Sequence, residues 1–214
     1  MMRRTFIHVL IGLGGLLAVE AIGIAVPLAA AAEGPATKLA DGNAKPTAAT
    51  PEQLKREKGN ASSRLQQDRR RFPRQDISDA EALYQVANKN WRSAEAKESL
   101  QKMIAKYPQF NRTGCGILYL GQMSEGDERI KYLSQAVEKH SDCYYMNGVQ
   151  VGAFGRYLLA HTYLDQGKNA DAQKLFDEIR KDYPNAITPR GDSLIAVMNE
   201  EGKSMRAGTQ PSAE

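Results

Sequence analysis

Apolar residues from Ile77 to Ala186 recur three and four positions apart, and no stretch alternates with period two for long, so this region is predicted to be helical. The spacing predicts a helix over Ser78–Lys89, with Ala82, Leu83, Val86 and Ala87 on its apolar face. A second, Arg92–Tyr107, carries the stripe Ala96, Leu100, Met103, Ile104 and Tyr107 and is ended by Pro108. A third spans Thr113–Met123 before a Ser124-Glu125-Gly126 turn. The fourth is capped by Asp127 and carries Ile130, Leu133, Ala136 and Val137 to His140. The fifth, Gln150–Gln166, is apolar almost all round and is expected to be the most buried; Gly167 stops it. The sixth, Ala170–Tyr183, presents Ala172, Leu175, Phe176 and Ile179 and ends at Pro184. Thr188-Pro189 is expected to open a seventh helix running to Glu201, and residues 202–214 read as a disordered polar tail.

Ahead of this region the pattern changes. Met1-Met2-Arg3-Arg4 is a cationic start, Phe6–Val19 carries no formal charge, and Ala29–Ala32 supplies small residues before Glu33. Those are the three parts of a secretory signal, so residues 1–32 are read as one, with cleavage after Ala32. The alternative is an uncleaved membrane anchor, opposed by Glu20 in mid-span and by Pro27. The compartment expected is therefore outside the cytoplasm, periplasmic in a bacterium.

Residues 33–76 are rich in Ala, Pro, Thr, Lys and Arg and lack aliphatic spacing, which reads as a disordered linker. Its second half holds eight cations against Glu52, Glu57 and Asp68, a net of +5 from Glu52 to Arg74. The remainder, Gln75–Glu214, has 17 Lys+Arg and 19 Asp+Glu. The basic character thus belongs to an arm, suited to weak contact with an anionic membrane or polymer. The slightly acidic body argues against nucleic acid.

Spacing within the helical region repeats. Ala160-x2-Tyr163-x3-Gly167-x4-Ala172-x3-Phe176-x2-Ile179-x4-Pro184 resembles the tetratricopeptide repeat. Small Ala160 and Ala172 let two helices approach, Gly167 closes their turn, and Pro184 stops the second. An earlier copy runs Ala96-x3-Leu100-x2-Met103-x4-Pro108, and both copies end in Tyr-Pro. Pro108 and Pro184 lie 76 residues apart where two 34-residue periods give 68, so the middle unit is expected to carry eight extra residues in the loop Ser141–Val149. The resemblance implies an all-α fold: a short right-handed solenoid of about three antiparallel hairpins plus a C-terminal capping helix, over residues 77–201. It extends broadly to periplasmic adaptors such as the Tol–Pal coordinator and the outer-membrane assembly repeat proteins.

Chemistry is sparse. The chain has two Cys and three His, no Gly-rich phosphate loop, no Gly-x-Ser-x-Gly and no paired-His metal motif, so neither cofactor, metal site nor catalytic residue is assigned. The expected function is a non-catalytic exported scaffold that binds a protein or peptide in its groove. The alternative is a carbohydrate-binding or enzyme-accessory protein using Tyr119, Tyr132, Tyr144 and Tyr145. In the resembled fold the first helix of each hairpin lines the concave face. The expected groove residues are Phe154, Tyr157, His161, Leu164 and Asp165 in the last repeat, and Glu81, Gln85, Asn88 and Lys89 in the first. Export and the hairpin geometry also predict a disulfide between Cys115 and Cys143, which would fall at the same end of one hairpin.

Overall fold

The computed structural model describes residues 48–208, with side chains to Lys203. The expected signal or anchor segment, residues 1–32, lies outside the described residues, as do linker residues 33–47. Among the described residues eight helices follow one another: α1 (Pro51–Arg71), α2 (Arg74–Lys89), α3 (Ala94–Lys106), α4 (Asn111–Met123), α5 (Gly126–Lys139), α6 (Val151–Asp165), α7 (Asn169–Asp182) and α8 (Leu194–Gly208). Helices α2/α3, α4/α5 and α6/α7 pack as hairpins, each hairpin packs on the next, and α8 closes the far end. This is the all-α repeat solenoid that the spacing implies.

The apolar stripes read from the sequence supply most of the core, although Ala82, placed on the first of them, is exposed. Ala96, Leu100 and Met103 of α3, Leu133 and Ala136 of α5, and Ala172 and Ile179 of α7 are fully buried. Helix α6 shares the position of most buried element with α4, whose Gly114–Gly121 run is buried at every residue. The extra length of the middle unit does fall between α5 and α6, where the chain leaves helix at His140 and re-enters at Val151. At the α6 end, Gly167 adopts φ +73°, as the turn into α7 requires.

Three expectations are corrected. The linker assigned to 33–76 is helical from Pro51 onward. Thr50 Oγ1 accepts the Gln53 amide at 3.2 Å and Gln53 Oε1 accepts the Thr50 amide at 2.9 Å, a closed capping box with Pro51 at the first helical position. The seventh predicted helix does not begin at Thr188. Residues 187–193 form a turn, with Gly191 at φ +84°, and helix resumes at Leu194. Nor is the tail disordered from 202, because α8 continues to Gly208; residues 209–214 lie outside the described residues.

Helix α1 runs along one edge of the solenoid and touches each connection between hairpins. At its start Ala49 donates to Gly191 O in the α7–α8 connection, and Leu54 packs with Ala49, Val149 and Ile187. At mid-length the Glu57–Lys58 backbone lies against Gly148 of the α5–α6 loop. Toward its end Arg64 binds Asp142 at 3.1 Å, Arg71 binds Gln109 at 2.7 Å, and Asp68 accepts the Asn111 amide at 2.7 Å. A helix of 21 residues spans about 31 Å, long enough to bridge the whole edge.

One buried group in this contact titrates. Glu57 is 4% exposed, with Oε1 accepting Asn60 Nδ2 at 3.3 Å and Oε2 unpartnered. Burial pushes its carboxyl above the ordinary range. A folded-state pKa raised above the unfolded one gives stability that is complete below the ordinary carboxylate range and is lost as pH rises through the folded value. Glu57→Gln should therefore stabilise the protein above that range and flatten its stability profile. Melting curves at about pH 4 and about pH 8 check this; identical pH dependence in both proteins would exclude it.

Candidate functional site

The first helices of the hairpins, α2, α4 and α6, pack along one another, the arrangement that lines the concave face in the resembled fold. On α2 the predicted residues form a ladder one turn apart: Gln85 donates to Glu81, and Asn88 donates to Gln85 Oε1 at 3.2 Å. Helical periodicity places 81, 85 and 88 on one face, all half-buried, with Lys89 exposed beside them. Across from the ladder, Arg112 of α4 donates to Glu81 Oε2 at 2.6 Å, and its guanidinium lies 4.4 Å above the Tyr84 ring. Asn88 Oδ1 is buried and has no hydrogen-bond partner. The residue itself is half-buried, so a turn of the Asn88 amide would present this acceptor to a donor from outside.

The middle of the face is filled by the chain itself. The α5–α6 loop turns back through the bonds Tyr145 N to Val149 O and Val151 N to Cys143 O. Asn111 fastens it from both sides, donating to Tyr144 O at 2.8 Å and accepting the Tyr144 amide at 2.7 Å. The Tyr145 hydroxyl donates to Cys115 O at 3.0 Å, and burial holds that phenol well above its ordinary pKa. Tyr119 is buried edge-on to Tyr84 and Trp91, while Tyr132 meets Gln101 of α3. The four tyrosines therefore form no shared stacking platform.

The last-repeat residues are brought together but covered. Phe154 and Tyr157 stack with centroids 5.9 Å apart, and His161 meets Tyr157 at 4.5 Å and Phe176 at 5.7 Å. Helix α8 buries Leu194 and Met198, and Glu201 of the same helix accepts the Tyr157 hydroxyl at 2.6 Å. Burial, with Glu201 second, keeps Tyr157 protonated. His161 Nε2 lies 3.3 Å from Glu201 Oε2 without hydrogen-bonding it. Tyr157 and His161 are each 5% exposed, so the expectation that they line an open groove is corrected: α8 occupies it. Leu164 is half-buried and Asp165 exposed at the rim.

Arg112 and Glu201 complete these contacts and were not legible beforehand. Arg112 lies in the repeat unit whose register is weakest, and Glu201 acts on a face remote in sequence.

The predicted disulfide is also corrected, since Cys115 and Cys143 are both free and buried. Cys143 Cβ and Sγ lie 2.6 Å from where a side chain on Gly114 would begin, so Cys143 rests on the helix position before Cys115, about 100° around α4. Cys115 Sγ instead faces Tyr144 O at 3.3 Å. Burial raises the Cys115 thiol to about 12, and burial raises Cys143 as well, so neither is a nucleophile at neutral pH. Among the described residues no cluster of three or more His, Cys, Asp or Glu could hold a metal ion.

Residues 155–186, from Gly155 of α6 to Ala186 just past α7, match the family model of the tetratricopeptide repeat. That stretch is a tetratricopeptide repeat. No curated protein and no solved structure matches the chain. The matched stretch is the third hairpin, where Ala160 and Ala172 are fully buried at the helix contact. Tetratricopeptide repeats generally mediate binding between proteins, and their known role is that of a non-catalytic scaffold.

Proposed function

We propose that this protein is an exported tetratricopeptide-repeat scaffold that binds an extended peptide segment of a protein partner over the first-repeat half of its concave face. The observation that carries the reading is the unpartnered Asn88 Oδ1 beside the Gln85–Glu81–Arg112 network. A buried carbonyl without a donor costs about 1–3 kcal/mol, and a peptide N–H would relieve that cost. Neighbouring Glu81, Gln85 and Arg112 supply both donors and acceptors, which suits a main chain better than an apolar ligand. Export is supported by the cationic start, charge-free stretch and small-residue exit at residues 1–32.

The test uses peptides selected on the intact protein from a random peptide library, followed by titration calorimetry. Asn88→Ala should weaken the selected peptides by about 10-fold, the worth of one buried hydrogen bond of about 1.4 kcal/mol, with unchanged helicity. If Asn88→Ala binds as the parent does while Tyr157→Ala abolishes binding, the partner lies under α8 and the proposal is wrong.

A further inference from the structure

We infer that the outer side of α1 is a docking ridge for an anionic bilayer surface. This goes beyond the peptide-binding reading and is independent of it. The inward side of α1 is formed by Leu54, Glu57, Ala61, Arg64, Leu65, Asp68 and Phe72, all buried or half-buried at three- and four-residue spacing. Two of the helix's three acids, Glu57 and Asp68, are thereby turned inward and buried. What faces out is Lys55, Arg56, Lys58, Arg69 and Arg70, all exposed, against the single acid Glu52, while Arg71 turns toward Gln109. The fold thus separates charge that is mixed in the sequence, leaving an outer face of five cations to one anion.

Shape and position select the partner. The cations form two groups, 55–58 and 69–70, joined by the uncharged outer residues Gly59, Asn60, Ser62, Ser63, Gln66 and Gln67. About 20 Å separates the groups along the axis, at about 1.5 Å per residue. Two groups on a straight helix meet a flat, extended field of negative charge, whereas a single phosphate would need one concave cluster. No apolar side chain lies on this face between Glu52 and Arg71, so the contact is electrostatic and does not insert.

The opposite edge of the solenoid, made by the turns within hairpins, carries both signs: exposed Glu125, Asp127 and Asp165 beside Lys89, Arg92 and Lys168, with Glu128 paired to Lys97. A negative surface therefore attracts the α1 edge more strongly than the mixed opposite edge, which orients the molecule with α1 down. Because α1 is bound along its whole length to the three connections, the ridge is preformed and loses little entropy on docking.

The test is co-sedimentation of the full chain with vesicles of phosphatidylcholine alone or with about one quarter phosphatidylglycerol. The comparison is with a variant carrying Lys55→Gln, Arg56→Gln, Arg69→Gln and Arg70→Gln; all four side chains are solvent-exposed. Both proteins keep the same N-terminal segment, so any difference between them reports α1. At low salt the parent should bind the anionic vesicles at least about tenfold better than neutral ones, and the variant should lose that excess, since each basic residue near such a surface counts severalfold. Raising salt to about 0.5 M should abolish the parent's excess, a readout that needs no variant. Equal binding of parent and variant to anionic vesicles overturns the inference. So does displacement by soluble polyglutamate at equal carboxylate concentration, which would assign the ridge to an acidic polymer.

Discussion

Asp68→Ala should lower the stability of the protein by about 3 kcal/mol, the lower end of what breaking a buried ion pair costs. Asp68 is 4% exposed, and its carboxylate serves two partners on different elements: the guanidinium of Arg64 and, at 2.7 Å, the amide of Asn111 in the first turn of α4. Helix α4 has Phe110 at its N-cap and no side-chain cap of its own, so the cap is supplied by α1. Alanine would leave an amide at the α4 start unpaired. It would also leave Arg64, whose side chain is 12% exposed, with only solvent-facing Asp142 and the Gln109 carbonyl at 3.4 Å. Thermal unfolding should show a loss of roughly 6–12 °C. Asp68→Asn, which keeps an acceptor for Asn111, should lose less. A change within about 0.5 kcal/mol would mean that α1 is not docked, because surface substitutions fall in that range.

Gly148→Ala should cost about 2–4 kcal/mol. Gly148 adopts φ +98°, where an L side chain is strained, and an added Cβ would stand 3.0 Å from both the Glu57 carbonyl carbon and the Lys58 nitrogen. Neither atom can turn aside, because both are backbone of α1. Gly59, two residues along that helix, has nothing within 4 Å of an added Cβ, and Gly59→Ala should stabilise by about 0.5–1 kcal/mol. Chemical denaturation of the two variants side by side separates loss of the α1 contact from a general effect of removing glycine. Stabilisation by both would show that the loop and α1 do not meet.

Helices α2 to α7 were readable because each buries aliphatic residues at three- and four-residue spacing, and their ends carry Pro108, Gly167 and Pro184. Helix α1 escaped because Glu57, Arg64 and Asp68 interrupt the sparse apolar spacing of Leu54, Ala61, Leu65 and Phe72 on its seated side. A local sign was present: Thr50-Pro51-Glu52-Gln53 has the spacing of a capping box with proline at the first helical position. The start of α8 was misplaced because Thr188-Pro189 has the same form as a helix opening but sits in a turn bridged by Ile187 and Ser193. Of the candidate site, the α2 ladder followed from repeat register. The covering of Tyr157 and His161 did not, since Glu201 lies more than one repeat away from either and no local pattern links them.

The path of α1 has a consequence for how the molecule unfolds. In an open array each repeat contacts only its neighbours, so the ends can melt while the centre holds. Here the segment that begins at the α7–α8 connection ends at the α3–α4 connection, so the first hairpin and the last share a single restraint. Loss of either terminal hairpin would strip α1 of part of its seat and expose the other. The described residues should accordingly melt as one unit, with hydrogen exchange in α3 and α7 governed by the same opening event. They should also fold more slowly than a linear array of this length, since α1 joins residues far apart in the chain.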